Sequence, residues 1–159
     1  MKTLSQLFLI VSLWAICLNG HAGEVTDVIT KDKLQVPELS GYVDFSNQSI
    51  TSSAVYAGNI YGNVDYIRMR NTDNSGIITT TSGGKIKSIT VVWSTDNIAG
   101  RTIKIYGKTT SYTSTHDLYL KNKQGSPIGT ITQSETSIEN IEGYSYIGIC
   151  STNGAIYLD

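Results

Sequence analysis

From residue 41 onward the chain is a series of short β-type runs, several of them alternating apolar and polar side chains, and no window sustains a 3.6-residue period. Ile89, Val91 and Trp93 alternate with Ser88, Thr90 and Val92, and Ile103 and Ile105 alternate with Thr102, Lys104 and Tyr106. A period of two sends one set to a buried face and the other towards water. The segment between the two runs, Ser94 to Gly100, is rich in turn-formers. The runs are therefore expected to be neighbouring antiparallel strands around which the chain is organised. Ile86 has the wrong parity for the Ile89 face, which predicts a bulge near Lys87-Ser88 or a twist that covers both faces.

The same texture recurs as short runs of Val, Ile, Thr and Tyr separated by Gly, Asn, Ser and Asp. It predicts strands at 41–45, 54–57, 66–70, 76–81, 85–93, 102–107, 128–132, 137–141, 146–150 and 155–158. Asp73 to Gly76 and Ser82 to Gly84 read as turns, and Asp117-Leu118-Tyr119 as a single helical turn. Short strands spaced about ten residues apart predict an all-β domain over residues 41–159, a two-sheet antiparallel β-sandwich or jelly roll. Its interior is expected to hold the Ile89/Val91/Trp93 and Ile103/Ile105 faces. Residues 23–40, with scattered charges and Pro37, read as a lead-in segment in which Val25, Val28 and Ile29 are candidates for a first strand.

Residues 1–22 have a different texture. Lys2 precedes an apolar run from Leu7 to Leu18, and Gly20-His21-Ala22 offers small residues for cleavage. That is the pattern of a secretory signal peptide. The apolar run is too short for a comfortable membrane span. Trp14-Ala15-Ile16 before Cys17 suits lipidation poorly, so export to the extracellular space or cell surface without a lipid anchor is expected.

Without Lys2 the remaining chain carries eleven basic and thirteen acidic side chains, a formal charge of −2. No basic field exists to hold a phosphate backbone, which argues against nucleic acid as a partner. Beyond residue 22 Cys150 is the only cysteine, so no intrachain disulfide forms and the core must supply the stability.

Candidate chemistry is sparse. His116 is the only histidine beyond the leader, which excludes a metal site of several imidazoles within one chain. His116, Asp117 and some serine could be combined into a triad, but a chain this rich in Ser and Thr offers such residues by chance. Cys150, opposite in parity to Ile147 and Ile149, reads as a half-buried small hydrophobe rather than a nucleophile. Asp73-Asn74-Ser75 resembles the start of a calcium loop but lacks its spaced carboxylates and terminal Glu. Structural calcium held by backbone carbonyls stays open, and no other cofactor is expected. Asn47-Gln48-Ser49 is an N-glycosylation sequon.

The tyrosines carry more. All ten lie beyond residue 22, and Tyr61, Tyr66, Tyr106, Tyr112, Tyr119 and Tyr144 fall at expected strand ends or in loops. A tyrosine offers a flat apolar face and a hydroxyl, suited to a sugar ring and its hydroxyls, although β-sandwiches also use tyrosine as cross-strand filler. The expected loop from Gly58 to Tyr66 combines two tyrosines, amides, a carboxylate and glycines, and Arg68 and Arg70 follow on one strand face. Tyr61, Asp65, Tyr66 and Arg68 are the candidate ligand patch, with Arg68 able to reach an acidic sugar. Arg70 reads as pinning a turn through carbonyls. Asn97 and Tyr112 would join the patch if their loops open at the same end. The expected function is a secreted, non-catalytic module binding extracellular carbohydrate. The alternative is a structural or adhesive surface protein that binds another protein.

An ordered set of motifs supports the fold. It runs Arg70-Asn71, Ser75-Gly76-Ile77, Ser82-Gly83-Gly84-Lys85, Trp93, Gly100-Arg101-Thr102, Ile105-Tyr106-Gly107 and Ser111-Tyr112. Asp117-Leu118-Tyr119, Gly125, Gly129, Tyr146-Ile147-Gly148, Ser151 and Gly154 to Leu158 continue it. Over roughly residues 25 to 159 this resembles an accessory β-sandwich of exported Bacteroidetes proteins. The resemblance implies a galactose-binding-like jelly roll, often appended to secreted nucleases, hydrolases or surface proteins, with no catalytic residues of its own. Such domains usually continue into a further apolar stretch ending near a Trp, whereas this chain stops at Asp159 with no partner enzyme attached. It is expected to be either a truncated copy or a free-standing small secreted protein.

Overall fold

A computed structural model describes residues 23–159; the expected signal peptide, residues 1–22, lies outside the described residues. Ten strands follow in order: β1 (Tyr42–Ser49), β2 (Val55–Tyr61), β3 (Ile67–Met69), β4 (Gly76–Thr81), β5 (Ile89–Thr90), β6 (Ile103–Lys108), β7 (Ser126–Ile131), β8 (Ser137–Ile138), β9 (Tyr146–Ser151) and β10 (Ile156–Leu158). A five-residue 3₁₀ turn, Thr115–Tyr119, holds the expected helical turn between β6 and β7. Every strand pairing is antiparallel. The principal sheet has the order β1-β2-β4-β9-β6-β7, and two small sheets pair β3 with β10 and β5 with β8.

Alternation explains the layers. Phe45, Tyr56, Ile60, Ile77, Ile103, Ile105, Ile131, Ile147 and Ile149 line one face of the six-stranded sheet. They share one core with Ile67 and Met69 of β3 and Ile156 and Leu158 of β10, and Ile89 and Ile138 of the third sheet pack against it. This all-β arrangement of antiparallel sheets around a common core is consistent with a β-sandwich. Burying each such side chain is worth about 1.5–3 kcal/mol, enough for a handful to decide which face turns inward.

The opposite face of the central strands is covered too. Ile78, Tyr106 and Cys150 project there and pack with Tyr112 and Leu118 from the segment carrying the 3₁₀ turn. Gly148 of β9 permits this close approach. A Cβ at Gly148 would lie 2.2 Å from Leu118 Cδ2 and 3.0 Å from Tyr112 Cζ. Tyr112 donates its hydroxyl to the Gln124 carbonyl at 2.6 Å, and Tyr119 donates to the Ser75 carbonyl at 2.6 Å. Asp117, buried beneath the turn, accepts from Thr113 N (3.1 Å) and Thr113 Oγ1 (2.8 Å). Tyr112 and Tyr106 are thus interior residues of this second core.

Several expectations are corrected. Residues 85–93 are not a long strand paired with 102–107. Only Ile89–Thr90 is regular strand, and it pairs with Ser137–Ile138. Around it Ile86 N donates to the Tyr144 carbonyl, Val91 N to Thr136 and Lys87 O accepts from Ile141 N. Trp93 forms an isolated bridge with Leu158. The segment from Ser94 to Gly100 therefore carries the chain from one sheet to another instead of closing a hairpin. Local alternation predicted the facing correctly: Val91, Ile103 and Ile105 are buried, Ile89 and Trp93 pack against the core, and Val92 is exposed. Ile86 also meets the core, from irregular backbone without a ladder to bulge from.

The lead-in forms no strand. Val25 and Val28 are exposed, and the segment docks instead through Leu34, Val36 and Asp27. Asp27 Oδ1 accepts from Thr51 N (2.9 Å) and Ser52 N (2.7 Å), and its Oδ2 from Ser52 Oγ (2.5 Å) and Tyr56 Oη (2.8 Å). Burial alone would raise the Asp27 carboxyl. These hydrogen bonds outweigh it and hold the group below the usual carboxylate range.

Gly58 to Tyr61, read above as loop, belongs to β2. Gly58 is required by packing, since a Cβ there would lie 2.4 Å from the Gly76 carbonyl and 2.6 Å from the Phe45 ring. Ile60 beside it is fully buried. Asn47 adopts a left-handed backbone (φ 63°) at a register shift between Phe45 and Gln48, so the sequon sits on a bulge of β1.

Candidate functional site

The site grows from two cross-strand pairs. Tyr42 lies opposite Tyr61 in the β1–β2 ladder, and Tyr157 lies opposite Arg68 in the β10–β3 ladder. Parity turns all four away from the core, because their neighbours Val43, Ile60, Ile67, Met69, Ile156 and Leu158 take the inner face. The Tyr42 and Tyr61 rings meet edge to face, 5.3 Å between centroids at 88°. Tyr66 and Tyr157 do likewise at 5.3 Å and 71°. Arg68 joins the two pairs. Its guanidinium carbon lies 4.6 Å from the centre of the Tyr61 ring and 5.5 Å from that of Tyr157. Arg70, two residues on, stands 4.0 Å over Tyr42. A cation over an aromatic face is stabilised by about 0.5–1 kcal/mol at an exposed site.

These arginines are not neutralised by the protein. Neither forms an ion pair with a carboxylate among the described residues. The Nε of each is buried without a hydrogen-bond acceptor. The Tyr42 hydroxyl feels burial most, which raises its pKa above that of a free phenol even though Arg68 and Arg70 pull the other way.

Beside the aromatic cluster an open cleft of about 400 Å³ is lined by Asp44, Asn59, Arg70, Asn74, Thr113 and Thr115, among others. Asp44 and Asn59 are cross-strand partners, and Asn59 Nδ2 donates to Asp44 Oδ1 at 2.7 Å. Asn59 Oδ1 is buried with no donor. The cleft is thus lined by Asn59, whose buried Oδ1 has no donor, and by Arg70, whose charge is not ion-paired. A second open cleft of about 390 Å³, near Lys108, Lys121 and Tyr144, is less available. There Lys108 already donates to the Ser111 carbonyl and lies 4.5 Å from the Tyr112 ring centre.

Of the expected patch, Tyr61, Tyr66 and Arg68 come together through Tyr157. Asp65 is exposed, next to Tyr66 in the chain, and makes no ion pair with Arg68. Arg70 lies over Tyr42, and no carbonyl among the described residues accepts from its side chain. Asn97 contributes indirectly: its Oδ1 accepts from Tyr157 N at 2.9 Å and its Nδ2 donates to the Tyr157 carbonyl. It fixes the strand that carries Tyr157. Tyr112 is buried in the second core and takes no part. Tyr42 and Tyr157 were missed. The signal for Tyr157 was its place between Ile156 and Leu158, whose inward parity turns it outward.

Elsewhere, His116 Nδ1 lies 2.6 Å from Asp73 Oδ1, both groups half-exposed, so the histidine's carboxylate neighbour is Asp73 rather than Asp117. Ser114 Oγ accepts from the His116 backbone N–H at 3.0 Å, as a cap. Cys150 is buried, and desolvation pushes its thiol up to about 11. Among the described residues no group of three or more His, Cys, Asp or Glu side chains is placed to hold a metal ion, and no helix is long and apolar enough to cross a membrane. No protein-family model, curated protein or solved structure matches the chain.

Proposed function

We propose that this chain is an exported, non-catalytic binding module for extracellular carbohydrate, built on a galactose-binding-like jelly roll. The observation that carries the reading is the continuous Tyr61–Arg68–Tyr157–Tyr66 relay beside the Asp44/Asn59/Arg70 cleft. Sugars are bound by flat apolar rings and by donors and acceptors aimed at hydroxyls, and this surface supplies both at the rim of a rigid scaffold. Binding rather than turnover is favoured by the remaining chemistry. The Cys150 thiol is buried and weakly acidic, and the His116–Asp73 pair lies on an exposed turn with its histidine backbone capped by Ser114.

A glycan array tests the proposal. Reproducible hits that disappear in Tyr61→Ala and Tyr157→Ala support it. A blank array together with capture of a defined protein partner supports the adhesive alternative instead.

A further inference from the structure

We infer that the ligand is an anionic glycan, a polysaccharide bearing uronate carboxylates or sulfate esters, held by Arg68 and Arg70. The inference rests on the carbohydrate-binding reading and narrows it to a charge class. Arg68 lies in β3 and Arg70 directly follows its last residue, two positions on, so the two side chains leave the backbone about 7 Å apart. Two like charges so close repel, and in a chain of formal charge −1 they would ordinarily recruit a carboxylate. They have not done so: neither makes an ion pair among the described residues. Asp44, the carboxylate lining the same cleft as Arg70, makes no ion pair with it and accepts from Asn59 Nδ2.

The tyrosines hold the cations in a particular way. A guanidinium lying over a ring gives that face to the ring; with the Nε of both arginines buried and Arg68 hydrogen-bonded to Tyr42, the terminal Nη–H groups are the donors left for an acceptor arriving at the edge. Planar carboxylate and sulfate oxygens match that fork, and a charge-assisted bond there is about twice as strong as a neutral one. Arg68 is fixed between Tyr61 and Tyr157, and Arg70 over Tyr42, so little side-chain freedom is lost when an anion arrives.

Asn59 distinguishes a sugar acid from a bare anion. It is 9% exposed, and its Oδ1 has no donor in the cleft it shares with Arg70. An acceptor in that position calls for a donor such as a hydroxyl, which fully ionised inorganic anions do not offer. A sugar ring carrying both hydroxyls and an acid group satisfies the orphaned acceptor and the uncompensated cations together.

The test compares two matched pairs of polysaccharides on the full chain by affinity electrophoresis: polygalacturonate against its fully methyl-esterified form, and dextran sulfate against dextran. Retention by at least one anionic member, at least tenfold weaker for its neutral counterpart, is expected. Retention by polygalacturonate alone assigns a uronate, and by dextran sulfate alone a sulfate ester. Raising NaCl should weaken it, and Arg68→Gln with Arg70→Gln should weaken it about tenfold or more, while near-ultraviolet circular dichroism stays unchanged. Should that double variant fail to fold, the wild-type comparison of anionic with neutral members decides alone. Equal retention of both members overturns the inference and leaves the carbohydrate reading standing. Equal retention of polyphosphate and the anionic glycans also overturns it, by showing plain polyanion attraction. Failure to retain any of the four, with a blank glycan array, overturns both.

Discussion

The guanidinium of Arg68 lies 4.6 Å from the centre of the Tyr61 ring, although Tyr61 ends a strand of the six-stranded sheet and Arg68 belongs to a separate two-stranded one. The contact joins the two sheets at their outer rim. Removing Tyr61 should therefore affect both the ligand surface and, mildly, the docking of β3. Tyr61→Ala and Tyr66→Ala are expected to weaken glycan binding while each costs about 0.5–1.5 kcal/mol of stability. Urea denaturation alongside binding titrations checks this. Losses of several kcal/mol would make these residues core members and move the site elsewhere.

Gly148 should be among the least tolerant positions. Gly148→Ala drives a methyl group into Leu118 and Tyr112, and overpacking of that kind costs about 1–3 kcal/mol. Leu118→Ala in the same chain should recover part of the loss by vacating the space. A double-mutant cycle with no coupling between the two changes would refute this account of the second core.

Acid should loosen the docking of the lead-in. The Asp27 and Asp117 carboxyls both lie below their ordinary value of 3.8, because hydrogen bonds outweigh a burial effect that acts to raise them. A depressed folded-state pKa contributes stability that is fully present above the unfolded value and lost as pH falls through the folded one. Stability should thus decline below about pH 4. Asp27→Asn should flatten that decline and lower stability at neutral pH by about 1–3 kcal/mol. Chemical denaturation at pH 7 and pH 3 measures both; an unchanged difference between the two pH values would exclude Asp27 as a contributor.

Cys150 should be inert. Its thiol is buried and shifted up to about 11, so the thiolate that alkylating agents need is scarce at neutral pH. Iodoacetamide at pH 8 is expected to leave Cys150 unmodified in the native protein and to label it in urea, as read by peptide mapping. Rapid native labelling would place the thiol at the surface.

Much of the fold could be read from parity, and the site shows where that reading stops. Alternation correctly turned Val91, Ile103 and Ile105 inward and Val92 outward, because one strand's facing depends only on its own residues. Pairing depends on the whole chain. Nothing local tells Ile89–Thr90 to choose Ser137–Ile138 over Ile103–Lys108. Gly58 and Asn59 depress strand propensity and suggested a loop, yet Phe45 needs the space above a glycine there and Ile60 needs the core. Half of the tyrosine relay was legible because Tyr61, Tyr66 and Arg68 are close in sequence. Tyr42 and Tyr157 are far apart in sequence, and only the ladders that set Tyr42 opposite Tyr61 and Tyr157 opposite Arg68 bring them to the patch.

The left-handed kink at Asn47 has a bearing on solubility. β1 is an edge of the six-stranded sheet, and an unbroken edge offers free N–H and C=O groups to any passing strand. Interrupting the ladder between Phe45 and Gln48 breaks that row into two short pieces. The other edge, β7, carries Pro127, which has no N–H to give. Both margins of the six-stranded sheet are thereby poor templates for pairing with a second copy of the chain.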